Sequence, residues 1–401
     1  LTSPWVVDHD DFAINQLGHP YQGSLYFTAA RSNGLSFWES FLYTAAGSLL
    51  WEIGGEAEPP SINDQITTTF AGALFGEVLY RVWDDLIGKK GEKTNLLRHI
   101  AAAPLAPIGS LNHYAFNRRG TFADTFLFHR LWIGSSYAGS VRDQSGERTE
   151  LLGFGRQISL GVGLTQGFPG TSEDLDYGPL DHFDLRFEAS FPKTPYIGLF
   201  IRGLVLGTDF KPKPWAHGLV GLFGNYDYST LPLLRVSSSA FGPGLALNCD
   251  LGEGVSIQGT MLVAGVFFGG AGAITANSGD RDFRAGGGLQ SVTDLRLLLR
   301  DAGSLQAGVR NYAIWGYKGA PGTEFISYGW IGSELRIAGP HAVGVEVQLS
   351  TRLATQPGQP DLSHSGSLFR VYYAILGDVY SGAARPGFMQ AAGSVRSPGG
   401  R

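Results

Sequence analysis

The sequence predicts a transmembrane β-barrel of about twelve antiparallel strands carrying an N-terminal α-helical hairpin, and three observations predict it. Glycine supplies 58 of 401 residues and aromatics 12%, while charged residues are only 16%, against the ~25% usual in soluble domains. Mean hydropathy is nevertheless close to zero, as expected of strands with one face in lipid and one in water. The second observation is a period of two, sustained over segments longer than ordinary soluble strands. The third is that, after the sixth segment, the connections between them alternate short and long, as the two ends of an outer-membrane barrel require.

Two segments near the start do not alternate. Residues 35–54 (LSFWESFLYTAAGSLLWEIG) and 61–86 (SINDQITTTFAGALFGEVLYRVWDDL) read as helices, apolar on most faces with small residues interspersed. Between them Gly54-Gly55 supplies a stop, because glycine tolerates the left-handed geometry of a helix end. Pro59-Pro60 then forbids helix, and Ser61 followed by Asp64 resembles a capping box with Asp in place of Glu or Gln. The elbow WEIGGEAEPPSINDQ is therefore a stop and restart that folds two helices into a hairpin. Glu39, Glu52, Glu77 and Arg81 would each be costly in lipid, so free-standing membrane spans are disfavoured. A hairpin packed against or inside protein is expected, with Gly72 and Gly76 at four-residue spacing allowing close helix contact.

Strand segments are expected near residues 131–141, 151–164, 182–191, 196–208, 215–226, 232–249, 254–268, 284–299, 303–317, 324–338, 341–353 and 365–377. Between 341 and 353, Val343, Val345, Val347, Leu349 and Leu353 share one face, and Gly344, Glu346, Gln348, Ser350 and Arg352 the other. Residues 182–191 and 367–375 repeat the pattern. The connection 165–181 is long where a short turn is due, and 192–195 is short where a loop is due. Three regions follow: residues 1–120, a helical plug or periplasmic cap; 121–378, the barrel; and 379–401, a C-terminal tail.

The run Asn15-Gln-Leu-Gly-His-Pro-Tyr-Gln-Gly-Ser-Leu-Tyr-Phe27, with Ala30-Arg-Ser-Asn-Gly34, Phe37-Trp-Glu39, Trp51-Glu52, Pro59-Pro-Ser-Ile-Asn-Asp-Gln65 and Gly76-Glu77, resembles a family of uncharacterised bacterial outer-membrane proteins known as a domain of unknown function. The resemblance covers about residues 11–88. It implies a Gram-negative envelope location, the bilayer and its lipopolysaccharide as surroundings, and brings no catalytic residues.

The candidate chemistry lies in two groups. The first is the hairpin set His19, Glu39, Glu52, Glu56, Asp64, Glu77 and Arg81. Glu77 and Arg81, spaced i to i+4, read as a structural pair. Glu39 and Glu52 fall on different helix faces and cannot share a partner. His19, Glu52 and Asp64 could converge near the elbow, either as a metal or head-group site or, more economically, as anchors tying the hairpin to barrel lumen and loop backbone. The second group is the inferred lumen: Asp184, Arg186, Glu188, Asp294, Arg296, Arg310, Glu334, Arg336, Glu346, Arg352 and Arg370. Its mixed signs point to cross-strand pairing rather than a selective pore. A twelve-stranded barrel is narrow enough for a hairpin to fill it.

A net charge of −5 leaves no basic footprint for nucleic acid. The lone Cys249 excludes intrachain disulfides and thiolate metal clusters. The first residues lack a charged n-region and an apolar h-region, so a mature form with its signal peptide removed is expected. No cofactor, metal or catalytic motif stands out. The expected function is a structural, transport or partner-binding component of the outer membrane, with a hairpin-occluded lumen and an envelope protein as partner. The alternative is a lipid-acting hydrolase or acyltransferase. That would need a serine activated by histidine, and His364-Ser365 is the one such pair beside a strand.

Overall fold

In the computed structural model, the described residues are 4–7, 10–56, 59–87, 96–116, 127–144, 147–170, 177–192, 195–230, 235–272, 283–299, 302–317, 322–355, 358 and 361–377. The expected tail at 379–401 lies outside them.

Twelve antiparallel strands form one closed barrel in sequence order, with β1 (Leu127–Gln144) pairing both β2 (Glu147–Gln166) and β12 (Leu362–Leu376). The others are β3 (Phe183–Phe191), β4 (Tyr196–Lys213), β5 (Ala216–Ser229), β6 (Arg235–Gly252), β7 (Val255–Gly272), β8 (Arg284–Leu299), β9 (Gly303–Gly316), β10 (Thr323–Ala338) and β11 (His341–Thr355). Closure leaves no unpaired edge, which is the condition for a sheet to lie in hydrocarbon. The short connections 214–215, 253–254 and 339–340 gather at one end. There Gly252, Glu253 and Gly254 all take positive φ (84°, 53° and 79°), a reversal that two glycines make affordable. The 167–182 connection lies at this same end, so it is a long segment in the correct register.

The strands are inside out relative to a soluble sheet. Along β11 every second residue is buried, and the buried set is Glu346, Gln348, Ser350 and Arg352 while Val345, Val347 and Leu349 are exposed. Water-avoiding groups face outward because the surroundings of such a barrel are apolar.

The N-terminal region holds more helix than a hairpin. A π-helical turn (Ile14–Gly18) runs into α1 (His19–Ser32), then α2 (Phe37–Gly54) and α3 (Ile62–Ile66) follow, and a second π-helical turn (Thr67–Ala71) continues into α4 (Gly72–Ile87). α5 (Leu96–Ala102) and α6 (Pro107–Phe116) complete it. α2 opens with a reciprocal box in which Ser36 accepts from the Glu39 N–H and the Glu39 carboxylate accepts from the Ser36 N–H at 2.8 Å. Ser61 caps α3 by accepting from the Asp64 N–H at 3.2 Å. α1 and α4 meet through glycines: a Cβ at Gly72 would stand 2.6 Å from the Gly23 Cα, and one at Gly23 only 1.8 Å from the Thr68 carbonyl oxygen. The small-residue spacing Gly72–Gly76 thus does serve close backbone approach.

The expectation that these helices plug the lumen or cap the periplasmic mouth is corrected by their position: they lie against the outer wall of the barrel. Pairing carries the outward row from Leu131 through Val162, Phe187 and Leu199 to Tyr228, and the neighbouring outward row holds Leu185, Ile201 and Tyr226. Elsewhere outward side chains are open, Leu131 at 45% and Leu349 at 61%, whereas Phe183 at 0% and Tyr226 at 1% are covered. What covers them is helix: Phe12, Phe27, Phe37, Leu74 and Val78 form one apolar cluster with Phe183, Leu185, Leu199, Ile201, Tyr226 and Tyr228.

Candidate functional site: the wall-mounted helical domain and the closed lumen

The docking surface is built from aromatic rings. Phe12 stacks on Tyr228 at 5.5 Å and meets Phe283 edge-on at 5.2 Å; Phe75 lies 6.3 Å from Tyr226, and Phe70 lies 4.9 Å from Phe267. Such pairs contribute about 0.5–1.5 kcal/mol each beyond the area they bury. Two polar contacts fix the register, Tyr226 donating to the Gln16 carbonyl at 2.5 Å and Ser237 to the Gln16 side chain. At the short-turn end Arg81 donates to Asp181 at 2.8 Å and to the Pro179 carbonyl at 3.1 Å. The long 167–182 connection is therefore the second half of the dock.

Every hairpin residue singled out in the sequence has a structural place. Glu77 is fully buried and bound by Arg31 (2.7 Å) as well as Arg81 (2.8 Å), so the i to i+4 pair is part of a chain Arg31–Glu77–Arg81–Asp181. Arg31 and Asp181 were missed, being 46 and 100 positions from their partners. Glu39 stays at the solvent-exposed start of α2 as a cap. Glu52 is buried and accepts from the Ser61 N–H at 2.7 Å, and His19 lies 3.4 Å from Asp64. Glu52, Asp64 and His19 do meet at the elbow, and the Val6 N–H adds a bond to the Pro60 carbonyl there at 3.0 Å. Glu56 accepts from the Trp51 indole at 2.6 Å. Among the described residues no group of three His, Cys, Asp or Glu side chains is placed to hold a metal ion.

The lumen is filled by the barrel's own side chains. In one layer Arg370 reaches both Glu188 and Glu346 at 3.1 Å, Arg186 reaches Glu346 at 3.0 Å and Glu188 at 3.3 Å, and Tyr328 donates to Glu188 at 3.2 Å. Two guanidiniums balance two carboxylates, and Arg370, Glu188 and Glu346 are buried at 1%, 0% and 1% exposure. Toward the long-loop end Glu324 binds Arg352 and Arg284; toward the other, Glu334 binds Arg130. Asp184 pairs with Arg202 at 3.3 Å, and Asp294 with Arg202 and Arg310. The sequence reading omitted Arg130, Arg202, Arg284 and Glu324, although each sits in an alternating strand. Arg296 lines the cavity described next, whereas Arg336 stands at the barrel rim and donates to the Gly339 carbonyl.

A cavity of about 140 Å³ persists in the lumen, lined by Asp184, Arg202, Asp227, Asp294, Arg310 and Phe168. It is room for about four or five waters at ~30 Å³ each. Phe168 belongs to the 167–182 connection, whose Pro169 carbonyl accepts from Asn248 at 3.1 Å, so this segment closes the lumen at the short-turn end while its far end holds Arg81 outside. Burial and the nearby Asp209 and Asp181 carboxylates push the Tyr177 hydroxyl in this connection up to about 12. The His364–Ser365 pair is split by the strand alternation. His364 is buried in the lumen beside Arg352, at 3.3 Å, and Ser365 is exposed on the other face.

Several solved outer-membrane barrels are similar at low identity. The NanC porin is 7% identical over 60% of this chain and 98% of its own, with a TM-score of 0.30. For the CymD monoaromatic hydrocarbon channel the figures are 10%, 63%, 89% and 0.26, and for the P. putida toluene transporter TodX 10%, 64%, 91% and 0.25. No curated protein matches the chain. Residues 4–108, the part mounted on the barrel wall, match the family model described as a domain of unknown function (DUF3943).

Proposed function

We propose that the chain is an integral outer-membrane protein in which a closed barrel serves as the mount and the helical domain is the working, partner-contacting part of an envelope component. The observation that carries this is the burial of the outward face of β3 to β5 beneath the helices. A barrel that gives up part of its lipid-facing wall to hold a domain, and lines its lumen with layers of paired charge, is built for attachment more than for flux. The belt of exposed Ile331, Val345, Leu349 and Val371 supports the bilayer as its surroundings. A lipid-acting enzyme is not favoured, since His364 and Ser365 point to opposite faces and Glu52 and Asp64 are already engaged.

Conductance across a planar bilayer is the test. The full chain is expected to show no steady single-channel current, and deletion of residues 1–120 is expected to leave the current absent, because the Glu188–Glu346–Arg370–Arg186 layer remains. Replacing all four of those residues with alanine, a change that conserves net charge, is expected to produce openings. Stable openings in the full chain would overturn the closed-mount reading in favour of transport.

A further inference from the structure

α2 is built the wrong way round for water. After Phe37 in its first turn, its buried stripe is Ser40, Thr44, Ser48 and Glu52, one residue every four positions, while Trp38, Leu42, Leu49, Leu50 and Ile53 are exposed. An amphipathic helix on a soluble domain shows the reverse, with apolar side chains inward and polar ones in solvent. Polar residues elsewhere in the bundle are also inward, beside the buried Phe27, Leu74 and Val78: Ser24, Thr28 and Ser32 of α1 and Thr67, Thr68 and Thr69 of the second π-helical turn are buried, and the charges Glu52, Glu77 and Arg81 are bonded internally. Glycine contacts bring α1 and α4 together, as in helix packing where the surroundings offer no hydrophobic drive. The barrel shows the same inversion along β11, and the bundle lies across the outward apolar belt of β3 to β5.

We propose that the α1–α2–α4 bundle lies in the same bilayer as the barrel and that the exposed face of α2 contacts lipid acyl chains. This rests on the outer-membrane reading above. The 18 residues of α2 extend ~27 Å at 1.5 Å per residue, close to the ~30 Å hydrocarbon core. No described helix is long and apolar enough to cross a membrane by itself. The polar stripe explains how the bundle nonetheless sits there: Ser40, Thr44, Ser48 and Glu52 are covered by α1, α3 and the second π-helical turn, so that between its capped start and the elbow α2 presents mainly apolar side chains outward, while the exposed Glu39 and Asp85 lie near helix ends. The apolar face of α2 thereby restores the belt that the docked helices interrupt.

The test uses nitroxide spin labels on the full chain in lipid vesicles, in a Cys249→Ser background, at Leu42→Cys, Leu50→Cys and, on the barrel belt, Leu349→Cys. Collision with dissolved oxygen and with a water-soluble nickel chelate is compared at each position. The expected result is high oxygen and low nickel accessibility at Leu42 and Leu50, matching Leu349. High nickel accessibility at Leu42 and Leu50 with a lipid-like Leu349 would overturn the inference and leave the outer-membrane reading standing. A water-like Leu349 would overturn both. Mutual spin broadening at Leu42 or Leu50, with neither reagent reaching the label, would also overturn it by showing a second copy of the chain on that face.

Discussion

At Glu77 the domain concentrates its electrostatics, because one carboxylate with no solvent exposure serves two guanidiniums, Arg31 and Arg81. Removing one partner of such a set strands the others in a dry site, which typically costs about 3–5 kcal/mol. Glu77→Gln is therefore expected to lower the denaturation midpoint of the helical domain in detergent, followed by the fluorescence of the nearby buried Trp83, while leaving the barrel's heat-modified gel mobility unchanged. Among the glycines of the helical domain, steric demand is greatest at Gly23, where a side chain would enter the Thr68 carbonyl. Gly23→Ala is expected to cost ~1–3 kcal/mol by the same readout, as overpacking does elsewhere. The Glu77–Arg81 half of the first site and the Ser61–Asp64 cap were legible, since both are local spacings. Arg31 and Asp181 were not, because nothing in a single sequence brings residues so far apart together.

Among the elements, α1 escaped the sequence reading although it carries the HPYQGSLYF run. Its inward residues include Gly23, Ser24, Thr28 and Ser32 beside Phe27 and Ala30, which makes no continuous apolar stripe to count. The strands were read correctly because charges alternating with valines declare two faces, and the barrel geometry decides which face meets lipid. For α2 the same two faces were present at four-residue spacing, yet the periodicity says only which residues share a side, and the inward side is the polar one. This inversion predicts an unusual order of substitution effects. Ser48→Leu, which adds volume to a buried face, is expected to destabilise the domain by ~1–3 kcal/mol in a detergent melt. Leu50→Ser on the exposed face is expected to leave that melt within about 0.5 kcal/mol of the parent. The long 165–181 segment was correctly seen as out of pattern, and its use now has a cause. Phe168 closes the lumen and Asp181 holds Arg81, so a cycle of Arg81→Ala and Asp181→Ala should show coupling of about 0.5–3 kcal/mol.

For the whole molecule, strand number, closure and the mixed charges of the lumen followed from composition and alternation, whereas the acidic residues of the elbow, expected to anchor the hairpin to the barrel, bond within the helical domain. The position of the helices did not follow. Apolar helices beside a narrow barrel suggest a plug, but the lumen was already spoken for by Arg370, Glu188, Glu346 and Arg186, and the outward rings of Tyr226 and Tyr228 offered the complementary surface. The central claim is that the domain of residues 4–108 is mounted on the outside of the barrel. Two adjacent residues on β5 test it, because Tyr226 faces outward under the helices and Asn225 faces the lumen. A photoreactive phenylalanine analogue at Tyr226 is expected to form an intramolecular crosslink to the segment 62–87, and the same group at Asn225 is expected to capture only barrel residues. Capture of that segment from position 225, with none from 226, would contradict the account and return the helices to the lumen.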